Sequence, residues 1–250
     1  MERTKIYFAS DFHFGVPDRA SSLKREQKFI RWLDEVRKDA KEIYILGDLF
    51  DFWFEYQTVI PKGYVRLLAK FAQIQDEGIP IHFFKGNHDL WMFGYFEKEL
   101  GIKVYHEPII KEWNGKRFFI GHGDGLGPGD YGYKFLKIFF TNPICQFLFN
   151  WLHPDIGVRL ALWWSGLSRY RNQKRKMDEY KGHEKEYLYQ YCKQRLEKEH
   201  FDYFILGHRH LALNIALNDK SNYVNLGDWI NLFTYAVYDG NKVELKEYAS

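Results

Sequence analysis

An α/β protein carrying a helical insertion is the architecture this sequence predicts, on three observations. In the first third of the chain, short apolar runs alternate with segments of helical periodicity, the pattern of a layered α/β core. From about Asp130 to His200 the strand pattern disappears. From Leu211 to Tyr248 it returns, now with few helix signals, which predicts a sheet-rich end.

Taken in order, Thr4 to Ser10 is an apolar run that stops at Ser10-Asp11, and Ser21 to Lys38 places Leu23, Phe29, Ile30, Leu33 and Val36 at helical spacing. Glu42 to Leu46 is a strand ending at Gly47-Asp48, Tyr64 to Glu77 an amphipathic helix, and Ile79 to Phe84 a strand ending at Gly86-Asn87. Arg117 to Ile120 and Tyr203 to Leu206 also have strand character. The expected division is a core of residues 1–129 and 201–250 with a helical cap over 130–200. Ile138 to Pro154 holds no Asp, Glu, Lys or Arg, but Asn142, Pro143, Asn150 and His153-Pro154-Asp155 interrupt it. A spanning helix needs about 20 mostly apolar residues, so a cap is expected instead, its apolar face covering a pocket or touching lipid. The plainer alternative is a helical layer packed on the core.

At 250 residues the chain fits one large domain with room for an insertion. Aromatic residues make up 19%, more than an ordinary core uses, which suggests a further task for the rings. A formal charge of +3 gives little reason to expect a nucleic-acid partner. Cys145 and Cys192 are too few for a disulfide framework, so free thiols in a reducing compartment are expected. Met1 to Lys5 leads straight into a strand without the apolar stretch of an export signal, and a cytoplasmic location follows as the expectation.

The chemistry lies in five segments at or just after strand ends: Asp11-Phe12-His13, Gly47-Asp48-Leu49-Phe50-Asp51, Gly86-Asn87-His88-Asp89, Gly121-His122-Gly123-Asp124 and Gly207-His208-Arg209-His210. Five of the 10 histidines fall within them. Ligands gather at the carboxyl ends of strands in open α/β sheets, so distant segments can converge. Carboxylate, imidazole and amide donors together suit divalent ions such as Mn, Fe, Zn or Co, and a shared carboxylate can bridge two of them. Each segment alone is as readily a turn with an Asx hydrogen bond. The remaining histidines, His82, His106, His183 and His200, have no partner pattern, and His153 before a proline reads as a helix cap.

In this order, Asp-x-His, Gly-Asp-x-x-Asp, Gly-Asn-His-Asp, Gly-His-Gly-Asp and Gly-His-x-His, the segments resemble the signature of the calcineurin-like metallophosphoesterase superfamily over residues 11 to 210. The resemblance implies a four-layer α-β-β-α sandwich with the cap inserted, and two divalent metal ions, Mn first. It implies that Asp11, His13 and His210 bind one ion, that Asn87, His122 and His208 bind the other, and that Asp48 bridges them. It also implies a catalytic His88 whose imidazole Asp89 orients, with Asp51 and Asp124 as supporting residues.

A narrower resemblance rests on Gly47-Asp48-Leu49-Phe50-Asp51-Phe52-Trp53, on His122-Gly123-Asp124, and on an insertion with His153-Pro154 and a Ser/Arg/Asn/Lys stretch. Together these are similar to the UDP-2,3-diacylglucosamine diphosphatases of lipid A synthesis. That implies hydrolysis of a UDP-linked acylated sugar to UMP and an acylated sugar 1-phosphate, at the cytoplasmic face of the inner membrane, with no obligate protein partner. The aromatic residues Phe139, Phe140, Phe147, Phe149, Trp151, Trp163 and Trp164 fit an acyl cleft or a lipid contact. Asp130, Tyr133, Ser168, Asn172 and Arg175 match family substrate positions, Arg175 standing where Lys is usual. His88 in place of Arg, and Arg209-His210-Leu211-Ala212 in place of Thr-His-Arg-Pro, depart from the pattern without touching the seven ligand positions. The alternatives are the same mechanism on another nucleotide or phosphodiester, and an inactive scaffold of the same fold.

Overall fold

The computed structural model describes residues 2–128, 131–174 and 179–249, with residues 170–174 described by their backbone alone. In chain order the elements are β1 Lys5–Ala9, α1 Arg19–Val36, β2 Ala40–Leu46, α2 Val65–Asp76, β3 Ile81–Phe84, α3 Tyr95–Leu100, β4 Lys103–Tyr105, β5 Ile109–Trp113 and β6 Lys116–Gly121. There follow α4 Tyr131–Thr141, α5 Pro143–Asn150, α6 Pro154–Lys174, α7 Tyr187–Leu196, β7 Tyr203–Leu206, β8 Ala212–Asn218, β9 Ser221–Leu226, β10 Thr234–Tyr238 and β11 Val243–Glu247.

The strands form a six-stranded sheet, β11-β10-β1-β2-β3-β4, and a five-stranded sheet, β5-β6-β7-β9-β8. β1 to β4 run parallel, as do β6, β7 and β9, so each sheet gathers several strand carboxyl ends along one edge. The helices follow from local sequence. Asp18 caps α1 by accepting the N–H groups of Ala20 and Ser21 at 2.8 and 3.0 Å, and Phe29, Trp32, Leu33 and Val36 form its buried stripe. Asn142 caps α5 in the same way, with Pro143 in its first turn.

Three buried clusters define the layers. One lies between the six-stranded sheet and α1 to α3, built on Phe29, Trp32, Phe71, Phe96 and Trp229. The second joins the two sheets face to face through Phe8, Tyr44, Phe118, Ile120 and Val224. The third lies beneath α7, where Leu188, Tyr189 and Cys192 meet Phe204, Leu206 and Tyr223. The order is therefore helix, sheet, sheet, helix, the α-β-β-α sandwich expected from the sequence.

The helical segment divides in two. α4 and α5 bury no residue, and many of the large apolar side chains of α4 to α6 are exposed. α7, expected within the cap, instead supplies the outer layer over the second sheet, because its apolar positions fall on one face. α4 and α5 are held to the body from one side: Phe149 packs on Phe52, Phe54 and Trp91, and the Trp91 indole N–H donates to the Phe140 carbonyl at 2.6 Å.

Candidate metal centre

The turns after β1, β2, β3, β6 and β7 bring the five motif segments to one place. Asp11, His13, Asp48, His208 and His210 all hold left-handed backbone, with φ of 59°, 45°, 51°, 69° and 52°. They are five of the eight non-glycine residues with positive φ among the described residues. Such backbone costs roughly 1 kcal/mol or more per residue and persists where surrounding contacts over-determine it. Those contacts are present. The Asp48 carbonyl accepts both Phe12 N–H and His13 N–H at 2.9 Å, and Gly207 N–H donates to the His122 carbonyl at 2.8 Å. A Cβ on Gly86 would collide with Asp48 Oδ1, and one on Gly207 with Ser10 Oγ, so both glycines are needed for the close approach of the loops.

Two groups of ligand atoms result, each within 4.8 Å: Asp11, His13 and His210, and Asp48, His122 and His208. Asp48 Oδ2 lies between them, 3.5 Å from His13 Nε2 and 3.4 Å from His122 Nε2. Asn87 Oδ1 is 3.2 Å from His122 Nε2, which places the amide in the second group. All seven expected ligand positions thus meet in one cluster. Asp51 forms a further group with His13 and His88, its Oδ1 3.4 Å from His13 Nδ1.

Three of the buried ligand atoms carry no hydrogen bond. Asp11 Oδ2 accepts from Ser10 Oγ at 2.6 Å and from His208 N–H at 2.9 Å, while Oδ1 is buried with no hydrogen-bond partner. Both ring nitrogens of the buried His13 also lack one. Buried polar atoms are nearly always satisfied, so these orphans fit a bound cation. His122 Nδ1 lies 2.6 Å from the Leu46 carbonyl, which fixes the ring with Nε2 towards Asp48 and Asn87.

Electrostatics divide the imidazoles: Asp48 favours a charged His122, whereas burial favours neutral His13 and His208. Burial opposes charge on Asp48, but His122 outweighs it and holds the carboxyl well below its usual range. Burial likewise opposes a cationic His122, yet the charge of Asp48 and the hydrogen bond to it push that imidazole up to about 10. Burial, then the neighbouring His122, pulls His208 down to about 3, and burial lowers His13. His13 and His208 therefore keep the neutral lone pairs that a metal requires.

His88 stands beside the cluster, its ring 4.6 Å from that of His13. The expected orienting role of Asp89 is corrected here. Its carboxylate accepts backbone N–H groups of Gly86 at 2.7 Å and Leu49 at 2.8 Å, fully buried, and so ties the Asp48 loop to the Asn87 loop. Burial and the charge of Asp48 raise it to about 6. His88 Nδ1 instead faces the Asp51 carbonyl at 3.1 Å and the Ser165 hydroxyl at 3.0 Å. Arg169, one turn further along α6, donates to Ser165 Oγ at 2.7 Å and to Asp51 Oδ1. The cap thus reaches the site through Ser165 and Arg169, three residues before the expected Ser168 and Asn172. Either pair has the same spacing, so the pattern alone could not pick the turn.

Tyr133 and Lys137 of α4 donate to Asp124 Oδ2 at 2.6 and 2.7 Å, which anchors α4 to the His122 loop. Asp130 and Arg175 lie outside the described residues, as does the side chain of Asn172. Ser165 and Asp228 escaped the sequence reading. Asp228 binds Ile230 and Asn231 N–H through Oδ1 and sets Oδ2 3.7 Å from His210 Nδ1. Its signal is Gly227-Asp228 directly after β9, the same form as Gly47-Asp48.

Comparison with known proteins follows the same lines. The model of the calcineurin-like phosphoesterase family matches residues 4–212. A UDP-2,3-diacylglucosamine hydrolase of Porphyromonas gingivalis is 40% identical over 98% of this chain and 97% of its own. One of the same name from Yersinia pseudotuberculosis is 29% identical over 66% of this chain and 67% of its own. Among solved structures, Vacuolar Protein Sorting 29 from Cryptosporidium parvum aligns over 96% of this chain and 88% of its own, at 14% identity and a TM-score of 0.45, a likeness too loose to carry an argument.

Proposed function

The chain belongs to the calcineurin-like phosphoesterase family, and on that premise we propose that it hydrolyses the pyrophosphate bond of UDP-2,3-diacylglucosamine to UMP and 2,3-diacylglucosamine 1-phosphate. The observation that carries the substrate is the likeness to the Porphyromonas gingivalis hydrolase, which runs through the cap as well as the core.

In this reading Asp11, His13 and His210 hold one divalent cation, Asn87, His122 and His208 the other, and Asp48 reaches both. When bound, such a pair supplies Lewis acidity to the phosphoryl oxygens and lowers the pKa of water between them. Mn is the ion we assign, on the family resemblance; the mixed oxygen and nitrogen donor set accepts Fe, Zn or Co as well. Residues of the chain do the rest. With Nδ1 facing the Asp51 carbonyl and the Ser165 hydroxyl, His88 has Nε2 left to hydrogen-bond the phosphoryl or departing oxygen. Arg169 adds a fixed positive charge beside it. Tyr133 lies 6.4 Å, ring to ring, from His208, at the edge of the centre. Ser168, Asn172, Asp130 and Arg175 are assigned to the substrate by resemblance alone.

The cap suits an acylated substrate. Phe135, Phe139, Ile144, Phe147, Trp151 and Trp163 are exposed on α4 to α6, whereas Phe140 and Phe149 pack inward. A contiguous apolar face of this kind is expected to meet acyl chains or a lipid surface. No helix among the described residues is long and apolar enough to cross a membrane, and we assign the protein to the cytoplasmic face of the inner membrane as a peripheral enzyme.

The test is to incubate the Mn-loaded protein with UDP-2,3-diacylglucosamine and with UDP-N-acetylglucosamine and to identify products by mass spectrometry. UMP and acylated sugar 1-phosphate from the first, with little turnover of the second, is expected. Comparable turnover of both would remove the acyl chains from recognition.

A further inference from the structure

Arg209 stands between His208 and His210, the ligand candidates of the two different groups, yet it faces the body of the protein. Its Nε donates to both carboxylate oxygens of Glu186 at 3.1 Å, and its guanidinium lies 5.4 Å over the Tyr187 ring. The pair is buried, Arg209 at 8% and Glu186 at 2% exposure. Glu186 occupies the N-cap position of α7 but makes no capping bond with its side chain, which is given to Arg209 instead.

A buried ion pair adds little net stability, because desolvation offsets the attraction, while loss of one partner leaves an uncompensated charge. Its effect is to single out one arrangement of the segments it joins. Here those segments are the start of α7, seated on the second sheet, and a turn so tight that Arg209 N–H donates to the Gly207 carbonyl at 2.9 Å. The same helix start also packs against the His122 loop. A Cβ on Gly123 would lie 3.1 Å from Leu188 Cδ1 and 3.5 Å from His208 Cβ, and one on Gly127 would lie 2.9 Å from the Tyr187 carbonyl.

We infer that Arg209, anchored by Glu186, is a positioning residue for the metal centre: it locks the 207–210 turn on α7 so that His208 and His210 stay aimed at their two cations. The inference rests on the assignment of those histidines as ligands. It makes the segment returning from the cap part of the frame of the site. Partners one step removed from a metal typically change affinity by about 10–100-fold when lost.

Metal-stripped wild type, Arg209→Lys and Glu186→Gln are titrated with Mn(II) by calorimetry, and with Co(II) while its visible absorption is followed. Near-UV circular dichroism and the metal-free Tm report the fold. Wild type is expected to take up two ions, and each folded variant to bind them about 10–100-fold more weakly with an altered Co(II) spectrum. Variants that are folded and less heat-stable, yet match wild type in Kd and spectrum, would overturn the inference and leave the pair a purely structural one. Wild type that takes up no ions would overturn the ligand assignment beneath it. Glu186→Gln retains an acceptor for Arg209, so it carries the test if Arg209→Lys does not fold.

Discussion

The Asp11 carboxylate accepts the backbone N–H of His208 at 2.9 Å across 197 positions of sequence. One oxygen thereby fixes the last ligand turn against the first, and the other, buried and without a hydrogen bond, lies 3.4 Å from His210 Nε2. This bond joins the turns after β1 and β7, one from each sheet, and its consequences are measurable.

Asp48 lies within 3.5 Å of imidazoles from both groups. Asp48→Ala is expected to retain its near-UV circular dichroism and to lose at least ~100-fold in kcat/KM, since even partners outside the coordination sphere are worth ~10–100-fold. Near-normal turnover by a folded Asp48→Ala enzyme would remove the bridging assignment.

Ser165 links the cap to His88 through a hydrogen bond of 3.0 Å. A neutral hydrogen bond contributes about 0.5–1.5 kcal/mol, so Ser165→Ala should cost up to about 10-fold in kcat. The loss should be similar on the acylated substrate and on bis-p-nitrophenyl phosphate, because the same His88 serves both. A change confined to KM for the acylated substrate would place Ser165 in substrate binding alone.

Phe147 and Trp151 are exposed at 60% and 76% on α5 and at its end. Burial of half of each ring in lipid is worth about 1 kcal/mol apiece, so Phe147→Ser with Trp151→Ser should weaken vesicle binding by about 10-fold or more. Hydrolysis of bis-p-nitrophenyl phosphate should not change. Flotation with liposomes decides, and unaltered flotation would detach this face from the membrane.

Glu42, far from the metal centre at the start of β2, accepts from Tyr44 at 2.7 Å and lies 3.1 Å from His82 Nε2. Burial would raise its pKa, but the hydrogen bonds to His82 and Tyr44 outweigh it and hold the carboxyl down at about 2, against its ordinary 4.5. A depressed carboxyl stabilises the fold above its unfolded pKa and loses that contribution as pH falls through the folded one. Glu42→Gln should therefore lower Tm at pH 7, and the gap to wild type should narrow between pH 4.5 and 2. A gap of constant size across that range would assign the effect to packing.

Cations that bind only the folded centre stabilise it by mass action. At 100 times its Kd one bound ion contributes about 2.7 kcal/mol, and chelation should lower Tm by about 5–10 °C in a chain of this size. An unchanged melting curve after exhaustive chelation would mean that the centre does not bind metal under those conditions.

Much of the site was legible because its chemistry is local and its glycines are forced. Gly47-Asp48 and Gly86-Asn87 follow apolar runs, and the same glycines are those without room for a Cβ or with left-handed backbone. Strand and helix order could be read from period alone where an element buries a full face, as in α1 with Phe29, Trp32, Leu33 and Val36. The three-residue β4 and the half-exposed β5 offered too little pattern. α7 was mistaken for cap because a helix covering a sheet and a helix covering a pocket have the same periodicity. The Asp89 role was misread for a similar reason: sequence gives adjacency to His88, whereas the fold turns the carboxylate to backbone N–H groups 39 to 41 positions earlier only through the paired β2 and β3. Ser165 stands in no motif and Asp228 only in a Gly-Asp pair after β9, so tertiary structure was needed to bring both to the site.

The central claim is that two cations share Asp48, and anomalous X-ray scattering from a crystal grown with Mn(II) tests it most directly. Two anomalous peaks about 3.5–4 Å apart, one beside Asp11, His13 and His210 and the other beside Asn87, His122 and His208, with the Asp48 carboxylate between them, are predicted. A single peak, or peaks away from these side chains in a fully loaded crystal, would contradict the account.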